Sequence, residues 1–577
     1  MRAYLIVLFC IFSIFSTAQT PFITGKIDLE NKLDSLLEPF NNAQSPGCAV
    51  LVLQHGKVLA ARNYGMASIE HEIPFTANNV VRMGYSEARE FLCIAAVLME
   101  KDGLLDLNDR VQKYFPNLPK WSAQVTLWDL INHHSGFIDE WSALLLMHGS
   151  MADYVSQSQF LQLLYDQTVP EVEPGKGYMY SNSDYGLLKM ILEKAGGEPL
   201  GTYIKRRILN PLGMISTQMH DNAAEVIPHF AMTYKPIGGG KYEQWHKDKS
   251  SPGGNYYMAT TANDVQLWAA AMADSSSEIA KAVELLKSRG TLLPGKTGHY
   301  SFGQTISKIN GSTVIRHEGV NGHVYLTRIP EKGMAIVTVG NFLEGFGFEN
   351  DELLDYLLNV PKATAPTVFL TQAITVASKE LEQYAGRYVW ENQASWESNS
   401  GQRKTTDFYV ENGVLMGDFG WQVFPLRPVG EGIFYWEDDY GVQLEFSQPT
   451  PSSPIQLLMR FSDGWPSNQL QKEAAERWTP SLEALQSFTG TYHSQHLDYF
   501  WTIKLSEAGK LTLHRPTMPD RTLEPDRDGE FILKIDKYPG MSYDAWVRFH
   551  LDRAGEISHL TVWHPRLMNH RFDKKNG

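Results

Sequence analysis

Apolar residues recur at helical spacing in "LENKLDSLLEPF", which predicts a helix within residues 28–45. The next stretch, "GCAVLVLQHGKVLAARNYGMAS", is dense in aliphatic residues on both sides of His55-Gly56 and predicts two strands joined by a turn. Phe91 to Glu100 has almost no polar face, as a central buried helix requires. "NDRVQKYFP" and "TLWDLINHHSGF" predict a capped turn and a further helix, and residues 183–196 another helix, stopped by Gly196-Gly197. Strands return in "GSTVIRHEG" and "HVYLTRIPEKGMAIVTVGN", with a turn at Glu331-Lys332-Gly333. Strands open this region, helices fill its middle and strands close it. That order predicts an α+β domain with one sheet built from both ends and helices packed on it.

The pattern changes near "NVPKATAPTVFLTQA", where Pro, Ala and Thr dominate. Beyond it come short strands with turn signals, and they repeat. "LEQYAGRYV" returns as "LQSFTGTYH", "VENGVLMG" as "SEAGKLTL", and "LRPVGEGIFYW" as "LEPDRDGEFIL". Three matches in one order indicate two copies of one all-β unit, a small barrel or sandwich. The expected organisation is a first domain over 28–358, a linker over 359–377, repeats at 378–472 and 482–577, and a second linker, 473–481. Neither repeat holds a recurring Ser/His/Asp or metal-type set, so a binding or packing role is favoured over a second active site.

A chain of 577 residues holds roughly three or four domains, in keeping with this division. The net charge of −14 argues against nucleic acid or an anionic membrane as partner. Residues 1–18 read as a secretory leader: Arg2, the apolar run "YLIVLFCIFSIF", then small residues at Ser16 and Ala18, with cleavage expected after Ala18. Export to the periplasm or out of the cell follows. Cys10 lies inside the apolar run rather than after it, which speaks against a lipid anchor, and no later run is long and apolar enough to span a bilayer. Cys48 and Cys93 fall in apolar segments and read as buried thiols, with a disulfide as the alternative. No Cys/His cluster has zinc-like spacing, and the adjacent His133-His134 read as structural.

Three stretches could carry chemistry. Ser86 stands at the start of the buried helix, where free backbone N–H groups and the helix dipole stabilise an oxyanion. Ser-x-x-polar ahead of an apolar run is also an ordinary helix cap, and alone that plainer reading is the better one. Tyr180-Ser181-Asn182 lies in a loop before a helix, offering a phenol for proton transfer and an amide to orient a carbonyl. His317-Glu318-Gly319 lies at a strand edge, where glycine lets a ligand approach the backbone.

Together, in this order, these stretches resemble the serine β-lactamase/penicillin-binding-protein superfamily, most of all its class C β-lactamase-like branch of esterases, D-aminopeptidases and peptide hydrolases. That family carries Ser-x-x-Lys, Tyr-x-Asn or Tyr-x-Ser, and Lys-Thr-Gly or His-x-Gly. "PGCAVLVLQHGKVLAARNYGMA", "DGLLDLNDRVQKYFPNLP", "VTLWDLINHHSGF", "ILNPLGM" and "PGGNYYMATTANDVQLWA" also look like family segments, and the resemblance covers residues 30–355. It implies a β-lactamase/transpeptidase-like domain, a helical region beside an antiparallel sheet flanked by helices, with the site between them. D-aminopeptidases of the family share the plan of a catalytic domain followed by two β-barrels, and other relatives carry one lipocalin-like domain. Lys296-Thr297-Gly298 spells a third motif, but "HYSFGQTI" follows it where the family has a strand ahead of that motif. The third motif is therefore assigned to His317 and Gly319.

The first motif departs from the family. Counting from the helix side puts the nucleophile at Ser86 and the lysine position at Arg89; counting forward from "IPFTANNVVRMG" falls one residue earlier, at Tyr85, so an insertion precedes Ser86. Arginine has no acceptor lone pair and stays charged, so Arg89 cannot be the general base. Two outcomes stay open. In one, Arg89 supplies only positive charge and favours a Tyr180 phenolate that deprotonates Ser86. By resemblance, Asn182 then holds the substrate amide, His317 and Gly319 line the third side, and backbone N–H groups hold the oxyanion. The substrate is a small or peptide-like ester, amide or lactam, and neither a metal nor an organic cofactor is needed. In the other, the site is inactive and binds a carboxylate-bearing ligand or an envelope partner. Glu87 and Glu90 offer a third, plainer role for Arg89, as partners in a structural ion pair.

Overall fold

The computed structural model describes residues 26–575 except 84, 149–155, 221–224, 239, 246–256, 293–298, 317–322, 344–346, 361–373, 391–404, 419–422, 437–441, 449, 451–452, 462–467, 474–477, 516–517, 539–540 and 565. The expected first helix spans Lys26–Leu37 (α1) and tightens into a 3₁₀ turn at Glu38–Phe40. Strands β1 (Cys48–Gln54) and β2 (Lys57–Tyr64) meet at His55-Gly56, whose φ angles of 48° and 73° make the tight twist that a two-residue hairpin needs.

The sheet is built from both ends of the domain, as the pattern predicts. β1 pairs antiparallel with Met334–Gly340, from Cys48 opposite Gly340 to Gln54 opposite Met334. Eight strands follow in the order Thr291–Leu292, His299–Ser301, Gln304–Ile309, Ser312–Arg316, Val324–Ile329, Met334–Gly340, β1, β2. The unbroken apolar character of β1 has a simple cause: both faces of the sheet are covered. Ala49, Leu51 and Leu53 enter the main core with the helical region. Cys48, Val50 and Val52 face the other way, against α1 and the closing helix Gly347–Leu358. Both Cys48 and Cys93 are buried free thiols.

Helix α2 (Tyr85–Lys101) runs through the middle of the main core. Phe91, Leu92, Cys93, Ile94, Ala95 and Ala96 are all buried, and the Phe91 ring stacks on Trp268 at 4.1 Å. "TLWDLINHHSGF" is helical only over Leu127–Ile131, opened by a capping box between Thr126 and Asp129. Its remainder is loop, with His133 at a φ of 57°.

The two repeats are two closed eight-stranded antiparallel barrels, with strands from Gly386 to Lys472 and from Gly490 to Lys575. Repetition reaches the hydrogen bonds. Tyr388 donates its hydroxyl to the Tyr384 carbonyl (3.0 Å) and Tyr492 to the Phe488 carbonyl (2.8 Å), each pinning the turn before the first strand. The copies are placed differently. Residues of the second barrel are continuous with the main core, whereas the interior of the first is a separate cluster including Tyr388, Phe408, Phe434 and Phe446. Arg387–Asp526 and Lys534–Asp418 pairs join the barrels. Among the described residues no helix is long and apolar enough to cross a membrane.

Phe91→Ala removes the ring stacked on Trp268 and should cost about 3–5 kcal/mol. In urea denaturation of the full chain the main transition should move to lower denaturant.

Candidate active site

Helix α2 ends the connection from strand Val81–Met83, and Ser86 is its second residue, one turn ahead of Arg89. Arg89 is only 2% exposed. Its guanidinium forks: Nη1 donates to Tyr180 Oη and Nη2 to Asn182 Oδ1, both at 2.6 Å. The structure thus brings the first and second sequence motifs together. Since a guanidinium only donates, Tyr180 Oη is the acceptor in this contact. Glu90 is not a partner of Arg89: it faces Arg328 in an ion pair and accepts from Trp268 Nε1 at 2.9 Å. Neighbouring residues on a helix point about 100° apart, which sends Glu90 to the sheet side. The structural pairing of Arg89 with Glu90 is thereby corrected; the Glu87 side chain lies outside what is described.

Asn182 opens the helix Asn182–Gly196 and is 2% exposed. Its backbone N–H and its Nδ2 both donate to Asp139 Oδ1, at 2.8 and 2.7 Å. Asp139 Oδ2 accepts from Ser142, so the carboxylate also caps the helix Glu140–His148. The amide orientation is therefore set at both ends. Next to this cap the Glu140 carboxyl is pushed up to about 8, first by burial and then by the neighbouring Asp139 charge.

Behind Tyr180 lies a buried chain that sequence reasoning missed. His133 Nδ1 is 2.8 Å from Asp184 Oδ2, and Nε2 is 3.0 Å from Tyr300 Oη. The Ser181 N–H also points at Nδ1, at 3.3 Å. Burial drives both partners to the uncharged form, Asp184 well above the carboxylate range and His133 well below the imidazole range. The His133 ring lies 4.6 Å from the Tyr180 ring. His133 and His134 do point in different directions, as adjacent residues should. His134 bonds Thr291 and lines an open cavity of about 700 Å³ with Trp128, Lys176, Tyr178, Arg289 and His299. That cavity shares its Tyr178 wall with the aromatic cluster of Tyr178, Tyr180 and Tyr300.

A second feature without a sequence signal comes from the second barrel. Arg566, in the turn between strands Ile557–His564 and Leu567–Lys575, places its guanidinium carbon 4.4 Å from the Tyr180 ring centre. The third motif begins directly beyond strand Ser312–Arg316; His317, Gly319 and the alternative Lys296 lie outside the described residues. Among the described residues no group of three or more His, Cys, Asp or Glu is placed to hold a metal ion.

A first motif on a buried helix, tied to a Tyr-x-Asn loop in a domain with an eight-stranded antiparallel sheet, is the arrangement of the β-lactamase/transpeptidase fold class. Residues 33–358 match the family described as Beta-lactamase, and the chain belongs to that family. Among curated relatives it is 29% identical to penicillin-binding protein 4* of Bacillus subtilis (strain 168), over 35% of this chain and 45% of that protein. It is 24% identical to a D-aminopeptidase of Gluconobacter oxydans (strain 621H), over 55% of this chain and 59% of that protein. The chain thus spans about half the length of the curated relatives it matches. The octameric penicillin-binding protein homologue from Pyrococcus abyssi superposes with a TM-score of 0.52 at 19% identity, covering 77% of this chain and 99% of that one. At that identity the likeness speaks for the fold alone.

Glu140 sets a pH dependence. It holds its proton in the folded chain up to about 8 but releases it near 4.5 when unfolded, so the native state binds more protons between these values. Stability from this group is full below its unfolded value and is lost as pH rises through about 8. Glu140→Gln should flatten the fall in melting temperature across this window, measured by calorimetry of wild type and variant from pH 5 to 8.

Proposed function

We propose that this chain is an exported serine hydrolase acting by acyl-enzyme chemistry on an ester, amide or peptide-like substrate. The observation that carries the reading is the Arg89 fork, which ties the helix bearing Ser86 to Tyr180 and Asn182. Family membership supports the chemistry at the level of serine hydrolase. Export rests on the leader-like residues 1–18.

In this mechanism Ser86 Oγ attacks the substrate carbonyl and passes its proton to Tyr180 Oη. Arg89, donating to that oxygen, stabilises negative charge there. The oxyanion is held by backbone N–H groups, one of Ser86 and one from the strand beyond His317 and Gly319. Collapse breaks the bond to the leaving group, which takes the proton from Tyr180. Water then adds to the acyl-enzyme, gives a proton to Tyr180 and frees the acid, and Ser86 recovers the proton. Asn182, fixed by Asp139 and Arg89, steers the substrate amide with its remaining N–H. The same fork favours one second reading: a guanidinium bound into place and unable to accept a proton suits a site that holds a carboxylate-bearing ligand without turnover.

Incubation with a fluorophosphonate followed by intact-mass and peptide mapping decides between them. Hydrolase chemistry predicts one adduct, on Ser86, absent from Ser86→Ala. Tyr180→Phe should slow its formation by about 10²–10⁴-fold, the usual worth of general-base assistance. No adduct on the wild type at long exposure would give the site to the binding reading.

A further inference from the structure

The open cavity beside His134 has no part in the chemistry above, yet it has the makings of a ligand site. Its volume of about 700 Å³ lies within the range of small-molecule pockets, roughly 300–1,000 Å³. The buried part of its lining is Trp128, Asn132 and Tyr178, and the exposed part includes Lys176, Arg289 and His299. Asn132 is the residue on which the helix Leu127–Ile131 ends, and it is 5% exposed. Its Nδ2 donates to the Trp128 carbonyl at 3.2 Å, but its buried Oδ1 has no hydrogen-bond partner among the described residues. Such an oxygen is costly to leave unmet. At the exposed side the Arg289 guanidinium lies over the Trp128 ring, its carbon 4.7 Å from the ring centre, and hydrogen-bonds none of the described residues. A guanidinium over a ring keeps its donors along its edge.

Charge does not select the ligand. Lys176 is paired with Glu173 at 2.7 Å, and Arg289 shares the lining with the Asp129 carboxylate, whose Oδ2 accepts from Thr126. Two cations stand against two carboxylates, so neither sign is in surplus. Burial lowers the pKa of His134, and its Nε2 is taken up by Thr291 at 3.0 Å. What the lining offers is a mixture of one-way groups. Asn132 Oδ1 and Asp129 only accept, whereas Arg289 and Lys176 only donate. A hydroxyl does both and rotates to suit either. Trp128 and Tyr178 supply apolar surface for the C–H groups between hydroxyls.

We propose that this cavity is a binding site for a neutral sugar, with one hydroxyl donating to Asn132 Oδ1 and others accepting from Arg289. The site is separate from Ser86, and the proposal does not depend on the hydrolase reading.

The test is saturation-transfer NMR and calorimetry on the full chain, with glucose, N-acetylglucosamine, cellobiose and glucuronate as probes. At least one of the three neutral sugars should bind. Asn132→Ala and Arg289→Ala should each weaken that binding about three- to tenfold, the worth of one hydrogen bond. Ser86→Ala should leave it unchanged. Arg289 is exposed, so its variant tests the site even where Asn132→Ala fails to fold. No binding of any neutral probe would leave Asn132 to water and overturn the proposal. Sugar binding undiminished in Arg289→Ala would overturn it as well. So would glucuronate binding more than about tenfold tighter than glucose, the mark of an anion site.

Discussion

Much of the helical region hangs on a buried guanidinium. Removing Arg89 from water costs several kcal/mol, recovered only by well-made partners. Two charge-assisted hydrogen bonds go to Tyr180 and Asn182, and each such bond is worth about 1.5–3 kcal/mol. The demand propagates outward. Asn182 can accept from Arg89 only because its amide is turned by Asp139, and Asp139 is held in turn by Ser142 at a helix start. A helix, a loop and a second helix are thereby locked in register by one side chain. A lysine in the same place would make a point contact with three rotatable donors; the planar fork demands both acceptors at once.

The sequence made the framework legible because its signals are local or periodic. The run of β1 reads as a strand from its own residues, and the apolar helix after Ser86 from the absence of a polar face. The barrel repeat was visible because both copies keep the tyrosine that ties down the turn before the first strand. Within the site, Arg89, Tyr180 and Asn182 could be found because the motifs are short and ordered. His133 was read as structural because a histidine pair carries no clue to its depth; only the folded loop reveals that one ring lies beside Tyr180 and the other faces a cavity. Arg566 gave no signal at all, since nothing along the chain says that a turn of the last barrel will meet the Tyr-x-Asn loop. The ion pair of Glu90 with Arg328 was hidden for the same reason: it joins a helix to a strand far along the chain.

The two barrels show how duplication divides labour. Their internal ties are alike, yet one interior stands apart while the other merges with the main core of the first domain. The second copy is committed to docking, through Trp501, Arg515, His496 and Met568. The first copy meets the second through the Arg387–Asp526 and Lys534–Asp418 pairs.

The place of Arg566 in the chain gives the cleft a schedule. A ribosome delivers Ser86, Arg89, Tyr180 and Asn182 early, then the whole first barrel, and only near the end of the second the turn that comes to rest over Tyr180. Until that strand pair closes, the nascent first domain holds Tyr180 without this guanidinium beside its ring. The surroundings of a tyrosine made early are thus completed by a turn made several hundred residues later, after the parts beneath have had time to fold.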